Sequence, residues 1–235
     1  MPGEPRVSVV MAVLNAERYL RPALENVAAQ TRPPDEIIVV DGGSTDGTQA
    51  IVRAEPAARW ITQGEPGLAH AWNTALAAAT GSLIAFQDSD DLWSPDKLAL
   101  QVGYLNSHPE AQYVLGHVQL FLEPGQMPPP AMRPEAFAHA HPGRMPGTLL
   151  ARRAVFDIVG PFDPSYGVTV DMAWFAKLDA LGLPGAVLPE VVLYKRHHNA
   201  NYSIASGPAE IGRHLPRMLK QALDVRRGRP AQAEK

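Results

Sequence analysis

Residues 6–14 (RVSVVMAVL) run almost without a polar break, the pattern of a strand buried on both faces. Asn15 interrupts the run, and Leu20, Leu24 and Val27 then recur at helical spacing. Pro33 and Pro34 break the chain, and residues 36–40 (EIIVV) predict a second buried strand closing at Asp41. The small and polar stretch 41–48 (DGGSTDGT) reads as a turn feeding a short helix to about Arg53. Residues 59–62 predict a brief third strand. Residues 67–79 predict a helix through Leu68, Trp72, Ala75 and Leu76, and residues 83–87 a fourth strand. Strands alternating with helices at this spacing predict an α/β fold, a parallel sheet with helices on both faces. Such sheets bind ligands beyond the carboxyl ends of their strands. Asn15, Asp41 and Asp88 each stand just past one.

The second half reads differently. Ser94 and Pro95 predict the start of a helix with proline in its first position, running to about Asn106. Residues 113–122 predict a longer strand. Residues 123–147, rich in Pro, Gly, Ala and His, have no period and are expected to form a mobile loop that orders over a bound ligand. A short strand over 148–150, helices over 153–159 and 171–181, and a strand over 191–198 follow. Ile211, Leu215, Met218, Leu219 and Ala222 then share one helical stripe, which Pro216 is expected to kink or to end at its first turn. The tail beyond Arg226 is expected to be disordered.

Composition narrows the classes. The chain of 235 residues, 46% hydrophobic and 19% charged, suits a folded protein with a substantial core. A net charge of −3 gives no reason to expect nucleic acid as a partner. No cysteine is present, so disulfides and cysteine-based zinc sites are excluded. The first residues lack the layout of a signal peptide, and no apolar run approaches about 18 residues, so the expected location is cytoplasmic.

The candidate chemistry begins where the fourth strand runs into Asp88, Ser89, Asp90 and Asp91. Like charges this close repel, and an ordered cluster of them calls for a cation. Carboxylate oxygens suit Mg²⁺ or Mn²⁺, which bring phosphate oxygens with them. The competing reading is a solvated turn, where Asp and Ser are common. His139 and His141 read as a solvated loop or a metal pair. Trp93 reads as a stacking platform or a core residue, and Arg152 and Arg153 as diphosphate contacts or surface residues.

VSVVMAVLNAERYL, VVDGGSTDGT and GLAHAWNTALAAATGSLIAFQDSDDLWSPDKL, in this order, resemble the inverting family 2 glycosyltransferases of GT-A fold. GTLLARRAVFDIVGPFD, VDMAWFAKLDALG and LYKRHHNANYS are similar to that family's later blocks, and the resemblance covers roughly residues 6–204. It implies a GT-A, Rossmann-like domain over 1–204, with a donor-binding half at about 6–107 and an acceptor half at about 108–204. A helical segment and tail would follow over 205–235. It implies a nucleotide-diphosphate sugar donor (UDP-sugar first, with GDP and dTDP as alternatives), a Mn²⁺ or Mg²⁺ ion and an unidentified acceptor hydroxyl on a glycan, lipid-linked sugar or small molecule.

Carried over residue by residue, the resemblance puts Ala12, Leu14, Asn15, Glu17 and Asp41 on base and ribose. It makes Asp88-Ser89-Asp90 the DxD motif, with Asp90 the direct metal ligand and Asp88 at ribose or metal. Asp91 is then an additional acid reaching donor sugar or acceptor. Asp171 becomes the catalytic base, and His197 a third metal ligand with His198 as the fallback. The chain departs from the family where Gly42 replaces a second acid, Ala12 a proline, Val170 a glutamate, and His70 an Arg or Asp near the diphosphate. Two alternatives stand beside this reading. A nucleotidylyltransferase would need a basic glycine-rich loop where this chain has Leu14-Asn15-Ala16-Glu17. A catalytically inactive nucleotide-binding or scaffolding relative would account for the departures. The basic C-terminal stripe is read as packing on the protein's own body or a second subunit, or as lying on the inner face of a membrane.

Overall fold

A computed structural model of the chain describes residues 4–128, 132–198 and 201–228. Its first half follows the hydrophobic pattern closely. Strands β1 (Val7–Val13), β2 (Glu36–Asp41), β3 (Ala58–Thr62) and β4 (Leu83–Phe86) alternate with helices α1 (Glu17–Ala28), α2 (Thr48–Ala54) and α3 (Leu68–Ala78). These four strands pair in parallel in the order β3-β2-β1-β4. The continuous apolar runs arise because both faces are covered. Val7, Val9, Met11, Ile37, Val39, Leu83 and Ala85 face one core with α1. Val10, Ile38, Val40, Ile84 and Phe86 face the other with α3. Each fully buried side chain of this kind contributes about 1.5–3 kcal/mol, so alternate residues stabilise opposite faces. At the α3–β4 junction a Cβ on Gly81 would sit 2.7 Å from Ser8 N and 2.8 Å from Arg6 O, so only glycine lets the chain pass.

In the second half β5 (Leu92–Trp93), α4 (Lys97–Ser107), β6 (Tyr113–Leu122), β7 (His141–Pro142) and β8 (Leu150–Arg152) are followed by α5 (Arg153–Val159) and α6 (Val170–Leu181). Strand β9 (Gly185–His197) and helix α7 (Tyr202–Arg226) complete the fold. The sheet continues from β4 through β8, β6 and β9 to β5, with β7 on β6. Strand β8 is antiparallel to both neighbours, whereas the long β6–β9 ladder is parallel, so the sheet is mostly parallel overall. No helix among the described residues is long and apolar enough to cross a membrane.

Several local expectations shift. Helix α4 starts at Lys97 rather than at Pro95, because Ser94, Pro95 and Asp96 form a turn in which Lys97 N donates to Ser94 O. Strand β8 starts two residues late, since 146–148 coil into a 3-10 turn. Strand β9 starts six residues early, its first half more exposed and interrupted by Pro189 and Glu190. The expected structureless loop holds a 3-10 turn at Pro134–Phe137 and strand β7. Helix α7 continues through Pro216, which is exposed and faces the carbonyl of exposed Gly212, where water can satisfy the freed acceptor. The apolar stripe on α7 divides: Met218 enters the core, while Leu215, Leu219 and Leu223 stay exposed. The end of the predicted tail, 229–235, lies outside the described residues, as does the side chain of Ile211.

Candidate active site

The carboxyl ends of β1, β2 and β4 lie side by side, as the parallel register requires. Asn15, Glu17 and Asp41 there lock two loops together. Asn15, at φ 48°, accepts from Thr45 N at 2.9 Å through Oδ1, and its own N–H donates to Ser44 Oγ at 2.8 Å. Glu17 Oε2 accepts from Gly47 N at 2.7 Å. Asp41 Oδ1 accepts from Ser44 N at 2.9 Å, Ser44 Oγ at 2.6 Å and Gly43 N at 3.2 Å. Its Oδ2 accepts from Trp60 Nε1 at 3.4 Å. Asp41 was expected to hold base or ribose. Its carboxylate is closed from solvent and turned into the 42–44 turn, whose amides it satisfies. Ala12 is half-buried in β1, whereas Leu14 is 61% exposed at the lip of the sheet.

The β4 end carries the acidic turn. Among the described residues Asp88, Asp90 and Asp91 form the grouping with metal-ligand spacing, their nearest oxygens within 4.8 Å of one another. Asp88 and Asp90 are partly open, and Ser89 is half-buried between them. Asp91 lies at the back of the turn. It is buried, its Oδ2 2.9 Å from Lys195 Nζ and its Oδ1 accepting from Arg196 N at 2.8 Å. Lys195 Nζ also lies 3.4 Å from Asp88 Oδ2. Burial works against the charge on Lys195, but Asp91, Asp88 and Asp90 outweigh it and hold the ammonium protonated. Burial, with Asp88 and Asp90 nearby, pushes the Asp91 carboxyl up to about 7 against the pull of Lys195. Asp88 is raised by desolvation and by Asp90, again opposed by Lys195. Three carboxylates gathered at one strand end make an oxygen-rich turn that fits a hard divalent cation.

Of the two adjacent histidines, His198 stands at the acidic turn. His198 Nε2 lies 3.0 Å from Asp90 Oδ2, which also accepts from Asn201 Nδ2 at 2.9 Å. His197 packs edge-on against Phe137 with a 5.2 Å centroid separation, and its buried Nδ1 has no hydrogen-bond partner among the described residues. Burial, then Lys195, lowers the pKa of His197. Strand β9 ends at His197, and the chain turns there through a bond from Asn201 N to His198 O, which brings His198 round to Asp90.

Asp171 sits in the first turn of α6, its Oδ1 accepting from Met172 N at 2.8 Å. Burial raises its carboxyl pKa, and the charge of Asp88 raises it further against Lys195. Asp171 therefore lies within electrostatic reach of the acidic turn, although 83 positions separate Asp88 from Asp171 in the chain. Lys195, Arg196 and Asn201 were not singled out from the sequence. Arg196 donates to Asp90 O at 2.9 Å while its guanidinium lies between the rings of Tyr19 and Phe121. The consecutive basic residues of the strand-end block YKRHH were the available signal.

Other candidates have structural positions. Trp93 is a core residue with Lys97 Nζ 4.7 Å above its ring. Arg152 donates to Leu105 O and Ala111 O, and Arg153 to Leu76 O, Ala79 O and Gly81 O, so both bind carbonyls at helix ends rather than a diphosphate. His70 Nδ1 lies 3.4 Å from Glu65 Oε2. His139 and His141 join no metal-ligand grouping among the described residues.

Residues 8–162 match the family described as Glycosyl transferase family 2. An uncharacterized protein of Mycobacterium tuberculosis is 33% identical over 212 residues, covering 81% of this chain and 59% of the relative. The putative glycosyltransferase EpsE of Bacillus subtilis is 32% identical over 171 residues, covering 66% and 59%. The chain thus spans about three-fifths of the length of these curated relatives. The mannosyltransferase PcManGT of Pyrobaculum calidifontis, solved with GDP-Man and Mn²⁺, superposes with a TM-score of 0.68 at 26% identity, covering 94% of this chain and 65% of that one. Glucosyl-3-phosphoglycerate synthase of M. tuberculosis, solved with Mn²⁺, UDP and its product, gives 0.63 at 26% identity, covering 97% and 82%.

Proposed function

The chain belongs to glycosyl transferase family 2, and on that premise we propose that it transfers a sugar from a nucleotide-diphosphate donor to an acceptor hydroxyl with inversion, in a divalent-metal-dependent reaction. The observation that carries this reading is the acidic turn of Asp88, Asp90 and Asp91, with Asp171 within electrostatic reach of it. The bound ligands of PcManGT and of the mycobacterial synthase support a nucleotide donor and Mn²⁺ as the class. UDP-sugar is the first donor to test, with GDP- and dTDP-sugars as alternatives. The setting is bacterial polysaccharide, glycolipid or natural-product glycosylation.

Asp90 and Asp88 would hold the ion, with His198 beside Asp90 as the nearest imidazole. When bound, a divalent cation offsets the charge that develops on the departing diphosphate. Lys195 and Arg196 fix the turn, the first by ion pairs and the second through the Asp90 carbonyl and Asp91 Oδ1. Asp171 takes the proton from the acceptor hydroxyl as that oxygen attacks the anomeric carbon. The bond to the diphosphate breaks in the same displacement, so the anomeric centre inverts once and no covalent enzyme intermediate forms. A carboxylate raised in pKa by burial is the stronger base for this step.

Calorimetric titration with UDP, GDP, dTDP and CDP, each with and without Mn²⁺, tests the proposal. Metal-dependent binding of at least one nucleotide, lost in Asp90→Ala, is the expected result. Absence of binding by every nucleotide would replace the reading with that of an inactive scaffolding relative.

A further inference from the structure

We propose that the outward face of α7 docks on an anionic lipid surface, its leucines entering the acyl boundary and its basic side chains meeting the headgroups. The other side of this helix is fixed to the body of the protein. Met218 is buried there, and His214 Nδ1 lies 2.8 Å from Thr169 Oγ1. Tyr166 Oη donates to Gln221 Oε1 at 2.9 Å, and Arg217 pairs with Asp163 at 3.2 Å. These contacts set the rotation of the helix about its axis.

The face turned outward carries two rows of side chains. Leu215, Leu219 and Leu223 recur every four residues and are 45%, 56% and 49% exposed. Arg213, Lys220 and Arg227 recur every seven and are exposed as well. At 3.6 residues per turn the rows converge towards the C-terminal end, and exposed Arg226 falls beside the leucines. Residues 212–228 hold five Lys and Arg against Asp224 alone, in a chain whose net charge is −3. Three leucines in line gain by leaving water, and cations beside them gain by meeting phosphate. An anionic bilayer supplies both at once, because Lys and Arg stems run along apolar surface while their heads reach the headgroups. The helix lies on such a surface rather than entering it end-on, since no helix among the described residues is long and apolar enough to cross a membrane. A second copy fits this face less well. A two-fold contact apposes the same patch from both chains, which presses each set of cations against its like.

The test sediments the full chain with vesicles of phosphatidylcholine alone, or of equal parts phosphatidylcholine and phosphatidylglycerol. Wild type is expected to bind the anionic vesicles about tenfold or more tighter than the neutral ones, and to be released as salt rises. Leu219→Gln combined with Leu223→Gln should weaken binding by about tenfold or more. Arg226→Gln combined with Arg227→Gln should do the same through lost charge. All four side chains are exposed, so both variants should keep the wild-type melting temperature. Equal binding of wild type to the two kinds of vesicle, or none to either, would overturn the proposal. So would a leucine variant that binds as wild type does, because adsorption would then rest on charge without insertion. A wild type that is dimeric in analytical ultracentrifugation, with a monomeric leucine variant, would give the face to a second copy and likewise overturn it. None of these readouts depends on nucleotide binding, so the proposed function stands or falls separately.

Discussion

Lys195 Nζ stands 2.9 Å from Asp91 Oδ2, joining a residue of the last strand to a buried acid 104 positions earlier in the chain. Removing one member strands the other in a poorly solvated place, which costs about 3–5 kcal/mol. Lys195→Met is therefore expected to lower unfolding stability by that amount in urea titration. Asp91→Asn in the same background should recover part of it, because the stranded carboxylate is gone. Additive effects of the two substitutions would show that the pair is not energetically coupled.

Asp171 is expected to separate binding from turnover. Asp171→Asn should retain metal-dependent nucleotide affinity while transfer falls by about 10²-fold or more, the scale of lost general-base assistance. Burial and Asp88 raise its carboxyl pKa. A base must be ionised, so wild-type kcat/KM should decline on the acid side through a pKa above the ordinary aspartate value of about 3.9. Wild-type turnover in the asparagine variant would sink the assignment.

The two adjacent histidines should behave oppositely. His198→Ala is expected to weaken Mn²⁺-dependent nucleotide binding by about 10–100-fold, as losses around a metal do. His197→Ala should act on packing against Phe137 and leave the metal dependence in place. The reverse pattern in calorimetry would return the role to His197.

That pair also marks how far the sequence could be read. The parallel first half was legible because strands covered on both faces carry continuous apolar runs, and each of β1 to β4 falls within a residue of its expected bounds. The acidic turn was legible from its spacing. Its counter-charges were not, because Lys195 and Arg196 meet it only through β9, and no local pattern sets that strand's register against β5. The bonds of Asp41 within its own turn were hidden for a related reason. An aspartate at a strand end can serve a ligand or its own turn equally well, and only the Ser44 and Gly43 amides decide it. The first turns of α4 and β8 were displaced because prolines at 95 and 146 sit in turns preceding the elements.

Lys97 provides a pH test of the core. Its ammonium is buried, bonded to Gln101 Oε1 at 2.6 Å, and burial lowers its pKa well below the ordinary value. Between the lowered folded value and the ordinary unfolded one the unfolded chain binds the extra proton, so stability rises with pH across that window. Below the folded value both states are protonated and the contribution reaches its least favourable, constant level. Wild type should therefore gain stability relative to Lys97→Met between pH 7 and 9.5. Parallel stability profiles for the two proteins would contradict this.

The bonds from Lys195 and Arg196 to the acidic turn also bear on how the protein can be assembled and divided. A fragment ending near residue 107 would keep every hydrogen bond of the β3-β2-β1-β4 ladder, yet would leave Asp91 facing no cation and Asp90 without His198 or Asn201. The chain must therefore close its β6–β9 ladder before the acidic turn acquires its final shape. On the proposed function, nucleotide affinity would report completed folding, and any splice made near residue 107 has to carry the β9 end along with the turn it steadies.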